Sequence, residues 1–283
     1  MAVRRAAVLG SPIGHSLSPV LHQAAYRALG LTEWSYQAIE CDEAGLPGLL
    51  ASLGPEWAGL SLTMPLKRAV LPLLDLADPL VAEVGGANTV ILGDGGRLGY
   101  NTDVPGMTTA LAEAGVTHAD RALVLGAGAT ACAALAALRG MAAGQVTVAV
   151  RNAATAGSLL SAAGRIGISV RFVPFGNQQG GQSWPLLIST VPARAADLYA
   201  ERIRAATLTT EAVLDVVYDP WPTRLAAAAQ QAGATAVGGF ELLLHQAARQ
   251  VELMTGRAAP VAAMRAAGLA GLADRAAGPA PDF

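Results

Sequence analysis

Two serines, Ser16 and Ser18, stand just before Pro19 in the stretch "GSPIGHSLSPVLHQ". Proline suits the first position of a helix, because its missing N–H would have no partner there. The pattern therefore predicts a helix from Pro19, with the Ser18 hydroxyl as its N-cap. Ser16 is left without a role by that interpretation. Two hydroxyls beside the positive end of a helix also favour a bound carboxylate or phosphate, so a helix cap and an anion site both stay open.

Three further groups of polar residues follow segments that are typical of strands. They are Thr63 and Lys67 in "SLTMPLK", Asn88 in "GGANT", and Asp103 at the end of "GYNTD". Proteins of the α/β class bind their ligands at the carboxyl ends of strands. Taken singly, such a lysine is more often a solvated helix residue, and such an aspartate is more often an N-cap. Their shared position at strand ends makes them candidates for a ligand site.

A glycine-rich turn in "ALVLGAGATA" lies between a predicted strand and a predicted helix. Gly126 and Gly128 allow a tight turn and the close approach of a pyrophosphate to the start of the helix. Ala131 occupies the third position of the G-x-G-x-x-G pattern. The turn is weak evidence alone, and the strand and helix around it strengthen the prediction of a dinucleotide site.

The next predicted strand ends in Arg151 and Asn152, where an NAD-binding unit would carry an acidic residue for the ribose hydroxyls. A guanidinium suits a phosphate, which favours the 2′-phosphate of NADP. The alternative is that Arg151 merely ends the strand at the surface.

The elements that must position these residues alternate between strand and helix patterns, which indicates two α/β units with a boundary near residues 103–105. Three further expectations concern individual segments of the chain. A helix should run from Pro65 to Asp78, residues 176–183 should form a surface loop, and the tail from residue 275 should be flexible.

The composition limits the classes of partner. Of 283 residues, 53% are hydrophobic and 14% are charged, with a net charge of −2, so we expect a globular protein. The absence of a Lys/Arg run argues against nucleic-acid or membrane-surface partners.

The two cysteines, Cys41 and Cys132, exclude a disulfide framework, and the scattered histidines lack metal-ligand spacing. No signal peptide is recognised, and we expect a cytoplasmic protein, either a monomer or a homodimer.

Several stretches in order resemble the shikimate dehydrogenase family over nearly the whole chain: "GSPIGHSLSP", "LTMPLK", "GGANT", "NTD", "GAGATA", "VRN", "DVVYDP" and "GGFELLLHQA". The resemblance implies two α/β domains. Residues 1–103 would form a substrate-binding domain with a mixed, mainly parallel sheet, completed by returning helices within 240–274. Residues 104–239 would form a Rossmann-type NADP-binding domain, and 275–283 a flexible tail.

The resemblance also implies the reversible, NADPH-dependent reduction of 3-dehydroshikimate to shikimate in chorismate and aromatic amino-acid biosynthesis. Lys67 and Asp103 would be the catalytic pair at the reacting oxygen. The residues implied to hold the substrate carboxylate are Ser16 and Ser18, with Thr63 and Tyr218 nearby, and those implied to bind the ring hydroxyls are Asn88, Asp103 and Gln246. The residues implied to bind the cofactor are Gly126, Ala127, Gly128, Ala129, Thr130, Arg151 and Asn152, with Val191, Val216 and Gly239 near the nicotinamide. No metal is implied.

The chain departs from the family pattern at three positions. Ser61 stands where the family usually has asparagine, Leu242 where it has methionine, and Thr155 where a second basic residue would fall. The first two predict altered packing, and the third predicts that NADP preference rests on Arg151 alone. Two alternatives stay open: a paralogue acting on quinate or an amino analogue, and a catalytically silent NADP-binding protein.

Overall fold

The computed structural model describes residues 3–152, 156–176 and 182–277. These residues form two compact units. The first unit takes its residues from Met1–Asp78, Gly86–Thr102 and Gln246–Phe283, and the second from Pro79–Gly85 and Asp103–His245. The short segment Pro79–Gly85 therefore belongs with the second unit, although it lies within the range predicted for the first domain.

The first unit is built on a mixed six-stranded sheet in the order β2-β1-β3-β5-β6-β4. Its strands are β1 (Arg4–Gly10), β2 (Trp34–Glu40), β3 (Trp57–Leu62), β4 (Leu76–Ala77), β5 (Thr89–Gly93) and β6 (Gly96–Tyr100). Strand β1 runs parallel to β2 and β3, and β4 runs parallel to β6. Strand β5 is antiparallel to both of its neighbours, so the predicted mixed, mainly parallel sheet is confirmed.

Helices pack on this sheet because its inner strand β1 is apolar on both faces. Residues Ala6 to Gly10 of β1 are all buried, as expected for a strand between two helical layers. The helices are α1 (Ser18–Ala28), α2 (Leu46–Ser52), α3 (Leu66–Ala69) and α11 (Val261–Ala277), together with the later part of α10 (Gly239–Thr255).

The predicted helix from Pro65 to Asp78 is wrong. Helix α3 ends at Ala69, a 3-10 turn follows over Leu71–Leu73, and Leu76–Ala77 pairs with β6 as strand β4. Pro72 lacks the N–H that a continuing α-helix needs, which explains the break.

The second unit contains a six-stranded parallel sheet in the order β12-β11-β10-β7-β8-β9. Its strands are β7 (Arg121–Leu125), β8 (Gln145–Val150), β9 (Val170–Pro174), β10 (Gln182–Ser189), β11 (Leu208–Asp215) and β12 (Thr235–Gly238). Its helices are α4 (Pro79–Val84), α5 (Asp103–Glu113), α6 (Ala129–Gly140), α7 (Gly157–Ile166), α8 (Asp197–Arg204) and α9 (Arg224–Gln231).

The strand order of the second sheet reverses between β7 and β10, which gives the predicted Rossmann-type fold. Ligands of such sheets bind in the crevice outside the carboxyl ends of the strands at this reversal. The fold therefore marks the ends of β7 and β10 as the place to look for a cofactor site.

Regular secondary structure extends into two segments that were predicted to be irregular. In the predicted loop at 176–183, Gln182 and Ser183 belong to β10, and residues 177–181 lie outside the described residues. In the predicted tail, Arg275 to Ala277 are the last residues of α11, and residues 278–283 lie outside the described residues. None of the helices within the described ranges is long and apolar enough to cross a bilayer.

Candidate active site

The glycine-rich turn lies at the strand-order reversal of the second unit. Gly126 follows β7 with a φ of +105°, and a Cβ there would lie 2.7 Å from the Thr190 Oγ1 atom. A side chain at Gly126 is therefore excluded both by the backbone conformation and by the close approach of the segment after β10. The sequence places glycine here because the turn permits nothing larger.

The start of α6 is the second half of this turn. Gly128 is the N-cap of α6 and carries no side chain to accept from the first amides of the helix. Ala129 and Thr130 are its first two residues. A helix start with an uncapped N-terminus at the sheet reversal suits the pyrophosphate of a dinucleotide. The residues present, Gly126 to Thr130, thus fit the cofactor implied by the sequence.

The residues predicted near the nicotinamide lie at the carboxyl ends of neighbouring strands in the same unit. Val191 follows β10, and its Cγ1 atom would lie 3.1 Å from a Cβ at Gly126. Val216 follows β11, and Gly239 is the first residue of α10, directly after β12. A Cβ at Gly239 would overlap the carbonyl group of Val216, so the backbones there approach closely.

Arg151 and Asn152 directly follow β8, and both are exposed. The Arg151 guanidinium is on the surface at the strand end where a Rossmann-type unit recognises the adenosine ribose. Thr155, at the position of the missing second base, lies outside the described residues.

The prediction that Ser18 is the N-cap of α1 is wrong. Leu17 is the N-cap and has no side-chain cap, and Ser18 is the first residue of the helix. The Ser16 hydroxyl instead accepts a hydrogen bond from the Ser18 N–H at 3.2 Å, as serine often does two residues before an amide. Ser18 is itself buried. Ser16 therefore supplies the local bond that sequence reasoning gave to Ser18.

A residue that sequence reasoning missed fixes this segment. The Arg275 guanidinium donates to the carbonyl oxygen of His15 at 2.8 Å and to that of Ser16 at 3.3 Å. Arg275 was expected in a flexible tail, but α11 packs along α1 and carries it to this segment. The alanine-rich sequence through "LADRAA" was the available signal that the helix continues.

The Thr63–Lys67 segment is tied to the "GGANT" turn through the backbone. The Lys67 carbonyl oxygen accepts from the Ala87 N–H at 2.8 Å, and Thr63 N–H donates to Leu9 at the end of β1 at 2.9 Å. The half-buried Lys67 side chain therefore belongs to the same edge of the first unit as Asn88.

Asn88 and Gln246 form a buried pair at that edge. The Asn88 Nδ2 group donates to Thr102 Oγ1 at 2.9 Å and to Gln246 Oε1 at 3.3 Å. The Thr102 N–H donates to Asn88 Oδ1 at 2.8 Å. The structure thus brings Asn88 and Gln246 together from sequence positions 158 residues apart.

Asp103 and Tyr218 belong to the second unit. Asp103 is the first residue of α5 and is buried, and Tyr218 is half-buried after β11.

In the same unit the His245 Nε2 atom lies 3.0 Å from a carboxylate oxygen of Glu113, with Glu241 close by. This contact joins α10 to the end of α5, and we assign it a structural role.

One unit carries a dinucleotide-type turn, and the other carries polar side chains at the ends of its strands. Together these two features define a nicotinamide-dependent oxidoreductase. The model of the shikimate dehydrogenase substrate binding domain matches residues 8–90, and that of the shikimate 5'-dehydrogenase C-terminal domain matches residues 239–267. The NADP(+) shikimate dehydrogenase of Citrifermentans bemidjiense is 38% identical, and the match covers 93% of each chain. The chain belongs to the shikimate dehydrogenase family.

Two solved structures agree with this assignment. The shikimate dehydrogenase of Mycobacterium tuberculosis has a TM-score of 0.83 and 43% identity, covering 94% of this chain and 99% of its own. The Thermus thermophilus enzyme, solved in complex with NADP(H) and shikimate, has a TM-score of 0.81 and 33% identity, covering 95% of this chain and 100% of its own.

Proposed function

We propose that this protein is an NADP-dependent shikimate dehydrogenase that reversibly reduces 3-dehydroshikimate to shikimate, in the biosynthesis of chorismate and aromatic amino acids. The observation that carries the proposal is the buried Asn88–Gln246 pair beside Lys67, in a chain of this family. Such a set of amides can hydrogen-bond substrate hydroxyls, and an analogue that lacked one would leave buried polar groups unpaired.

Lys67 and Asp103 are proposed to carry the chemistry. The cofactor, when bound, supplies hydride to the ketone carbon of the substrate. Negative charge then builds on the ketone oxygen, and a protonated Lys67 can stabilise that charge and donate a proton. Asp103 would orient the lysine and the substrate hydroxyl. In the reverse direction the same pair would take the proton from the C3 hydroxyl of shikimate.

The remaining assignments give the substrate an orientation. Ser16 and Ser18, with Thr63 and Tyr218, would hold the carboxylate, and Asn88, Asp103 and Gln246 would hold the ring hydroxyls. Their side chains are neutral except for Asp103, so binding would depend on directed hydrogen bonds.

The cofactor is proposed to lie along the second unit. Its pyrophosphate would bind the turn from Gly126 to Thr130, and its 2′-phosphate would bind Arg151 next to Asn152. Val191, Val216 and Gly239 would border the nicotinamide. Small molecules are the only partners proposed, and a chain with only two cysteines, both buried, suits a reducing compartment, the cytoplasm. A monomer and a homodimer are both compatible with the sequence.

The variant Lys67→Ala tests the catalytic assignment. We expect kcat for NADP reduction with shikimate to fall by about 10²- to 10⁴-fold, because a positioned general acid contributes that much. NADPH affinity, measured by fluorescence titration, should stay within about twofold, because the cofactor turn lies in the other unit.

Arg68→Ala is the matched control, since it removes a cation from the same short helix, α3. It should retain wild-type kcat. A Lys67→Ala variant with wild-type kcat would refute the assignment of Lys67, and equal losses in both variants would show that the effect comes from the fold of α3.

A further inference from the structure

The side-chain amide of Gln250 lies at the centre of a buried polar cluster in the first unit. Gln250 lies one helical turn after Gln246 on α10 and is 1% exposed. Its Oε1 atom accepts from the Ser61 hydroxyl at 2.9 Å and contacts His22 Nε2 at 3.3 Å. Its Nε2 group donates to the Asn88 carbonyl oxygen at 3.3 Å and to Thr89 Oγ1 at 3.0 Å. The amide therefore uses all of its hydrogen-bonding capacity.

The orientation of this amide is chemically determined. The backbone carbonyl oxygen of Asn88 can only accept, so the NH₂ group of Gln250 must face it. The Oε1 atom must then face Ser61 and His22, and the His22 ring must carry its proton on Nε2. One fixed backbone group thus defines which way every neighbouring hydroxyl points.

On one side of Gln250 the same argument fixes Tyr36. The single proton of Ser61 goes to Gln250 Oε1, so Tyr36 must donate its own proton to Ser61 Oγ, at 2.6 Å.

On the other side of Gln250 the same argument fixes the hydrogen bonds of Asn88. Thr89 Oγ1 accepts from Gln250, so its proton goes to Asn88 Oδ1 at 2.9 Å. The Thr102 N–H donates to the same oxygen at 2.8 Å. With Oδ1 occupied by these two donors, the Asn88 NH₂ group must face Thr102 Oγ1 and Gln246.

We propose that Gln250 is a positioning residue for shikimate, because it fixes the orientation of the Asn88 side-chain amide through Thr89. This inference rests on the proposed function, in which Asn88 binds a ring hydroxyl of the substrate. Gln250 itself is not assigned a contact with substrate.

The variant Gln250→Met tests this inference, since it keeps the length of the side chain and removes the amide. We expect KM for shikimate to rise about tenfold, the effect of losing one or two buried hydrogen bonds, while kcat changes less than about threefold and KM for NADP stays unchanged. Thr255→Val is the control on the same helix, where Thr255 hydrogen-bonds to Val251 and Arg257 of its own segment. It should keep the wild-type KM for shikimate.

The triple variant Tyr36→Phe/Ser61→Ala/Gln250→Met covers the case in which the single variant does not fold. It removes the Tyr36 and Ser61 hydroxyls together with the amide that accepts from Ser61, so its thermal midpoint should lie above that of Gln250→Met. Its KM for shikimate should stay raised about tenfold, because Thr89 and Asn88 still lack the Gln250 amide.

The outcomes separate the two proposals. A wild-type protein that does not oxidise shikimate would refute the proposed function. A wild-type protein that does, combined with folded Gln250 variants of unchanged KM, would refute only the positioning role. A loss of thermal stability without a change in KM would assign Gln250 a purely structural role.

Discussion

Burial of His22 should make the stability of the protein fall in mild acid. The His22 ring on α1 is fully buried and stacks on Tyr36 with 3.9 Å between ring centroids. Desolvation by burial is the main cause that lowers the pKa of His22 to about 3, and the hydrogen bond with Gln250 opposes it only partly. Burial also raises the pKa of the neighbouring Tyr26 and Tyr36 hydroxyls, so both rings stay neutral in this range.

The sign and size of the effect follow from proton linkage. Below pH ~6.5 the unfolded chain takes up a proton on His22 that the folded protein does not bind, so the free energy of unfolding falls as the pH falls. The loss begins near the unfolded pKa and continues until the folded pKa of about 3 is reached. At pH 5 it amounts to about 2 kcal/mol relative to pH 7.5, since each pH unit below ~6.5 costs about 1.4 kcal/mol.

Urea unfolding of the wild type and of His22→Phe, each at pH 7.5 and pH 5, measures this loss. The phenylalanine ring preserves an aromatic partner for Tyr36 and does not titrate. We expect the wild type to lose about 2 kcal/mol more than His22→Phe between the two pH values. His118→Gln, which removes an exposed histidine of the second unit, serves as the control and should behave as the wild type. Equal losses in His22→Phe and the wild type would refute the reasoning.

Three further predictions concern the cofactor unit. Arg151→Ala should raise KM for NADP about tenfold or more with little change for NAD, because the guanidinium would contact only the 2′-phosphate; steady-state kinetics with both cofactors measures this. Gly126→Ala should lower NADPH affinity at least about tenfold in a fluorescence titration, because a Cβ would lie 2.7 Å from Thr190 Oγ1 at a φ of +105°. Gly239→Ala should lower the thermal midpoint by several degrees in a melting experiment, because its Cβ would overlap the Val216 carbonyl group.

Each of these predictions has an outcome that contradicts it. Equal KM changes for NADP and NAD would show that Arg151 does not recognise the phosphate. Unchanged NADPH affinity in Gly126→Ala would place the pyrophosphate elsewhere, and an unchanged melting point of Gly239→Ala would show that the backbone there yields without cost.

The architecture was largely predictable because each element carries its own pattern. The apolar run at β1, the glycines after β7 and the alternation of strands and helices are local features, and they indicated two α/β units. The break after α3 was missed because "PLKRAVLPLLDLAD" is apolar at helical spacing, and only the missing N–H of Pro72 marks its end.

The candidate site was predictable only in part, because its supporting contacts join distant positions. Ser61 and Gln250 are 189 residues apart, and nothing in either local sequence indicates that they meet. Arg275 was placed in a tail because helix ends are poorly defined by composition, yet it holds the carbonyl groups beside Ser16.

The most direct test of the proposed function is the rate of cofactor reduction by the purified protein, followed by absorbance at the NADPH wavelength. Shikimate and quinate would each be tested with NADP and with NAD. We predict fast NADP reduction with shikimate and slow reduction with quinate or with NAD. Comparable rates with quinate or NAD would favour a paralogue of different specificity, and no reduction with any pair, despite NADPH binding, would contradict the assignment of Lys67 and Asp103 as a catalytic pair.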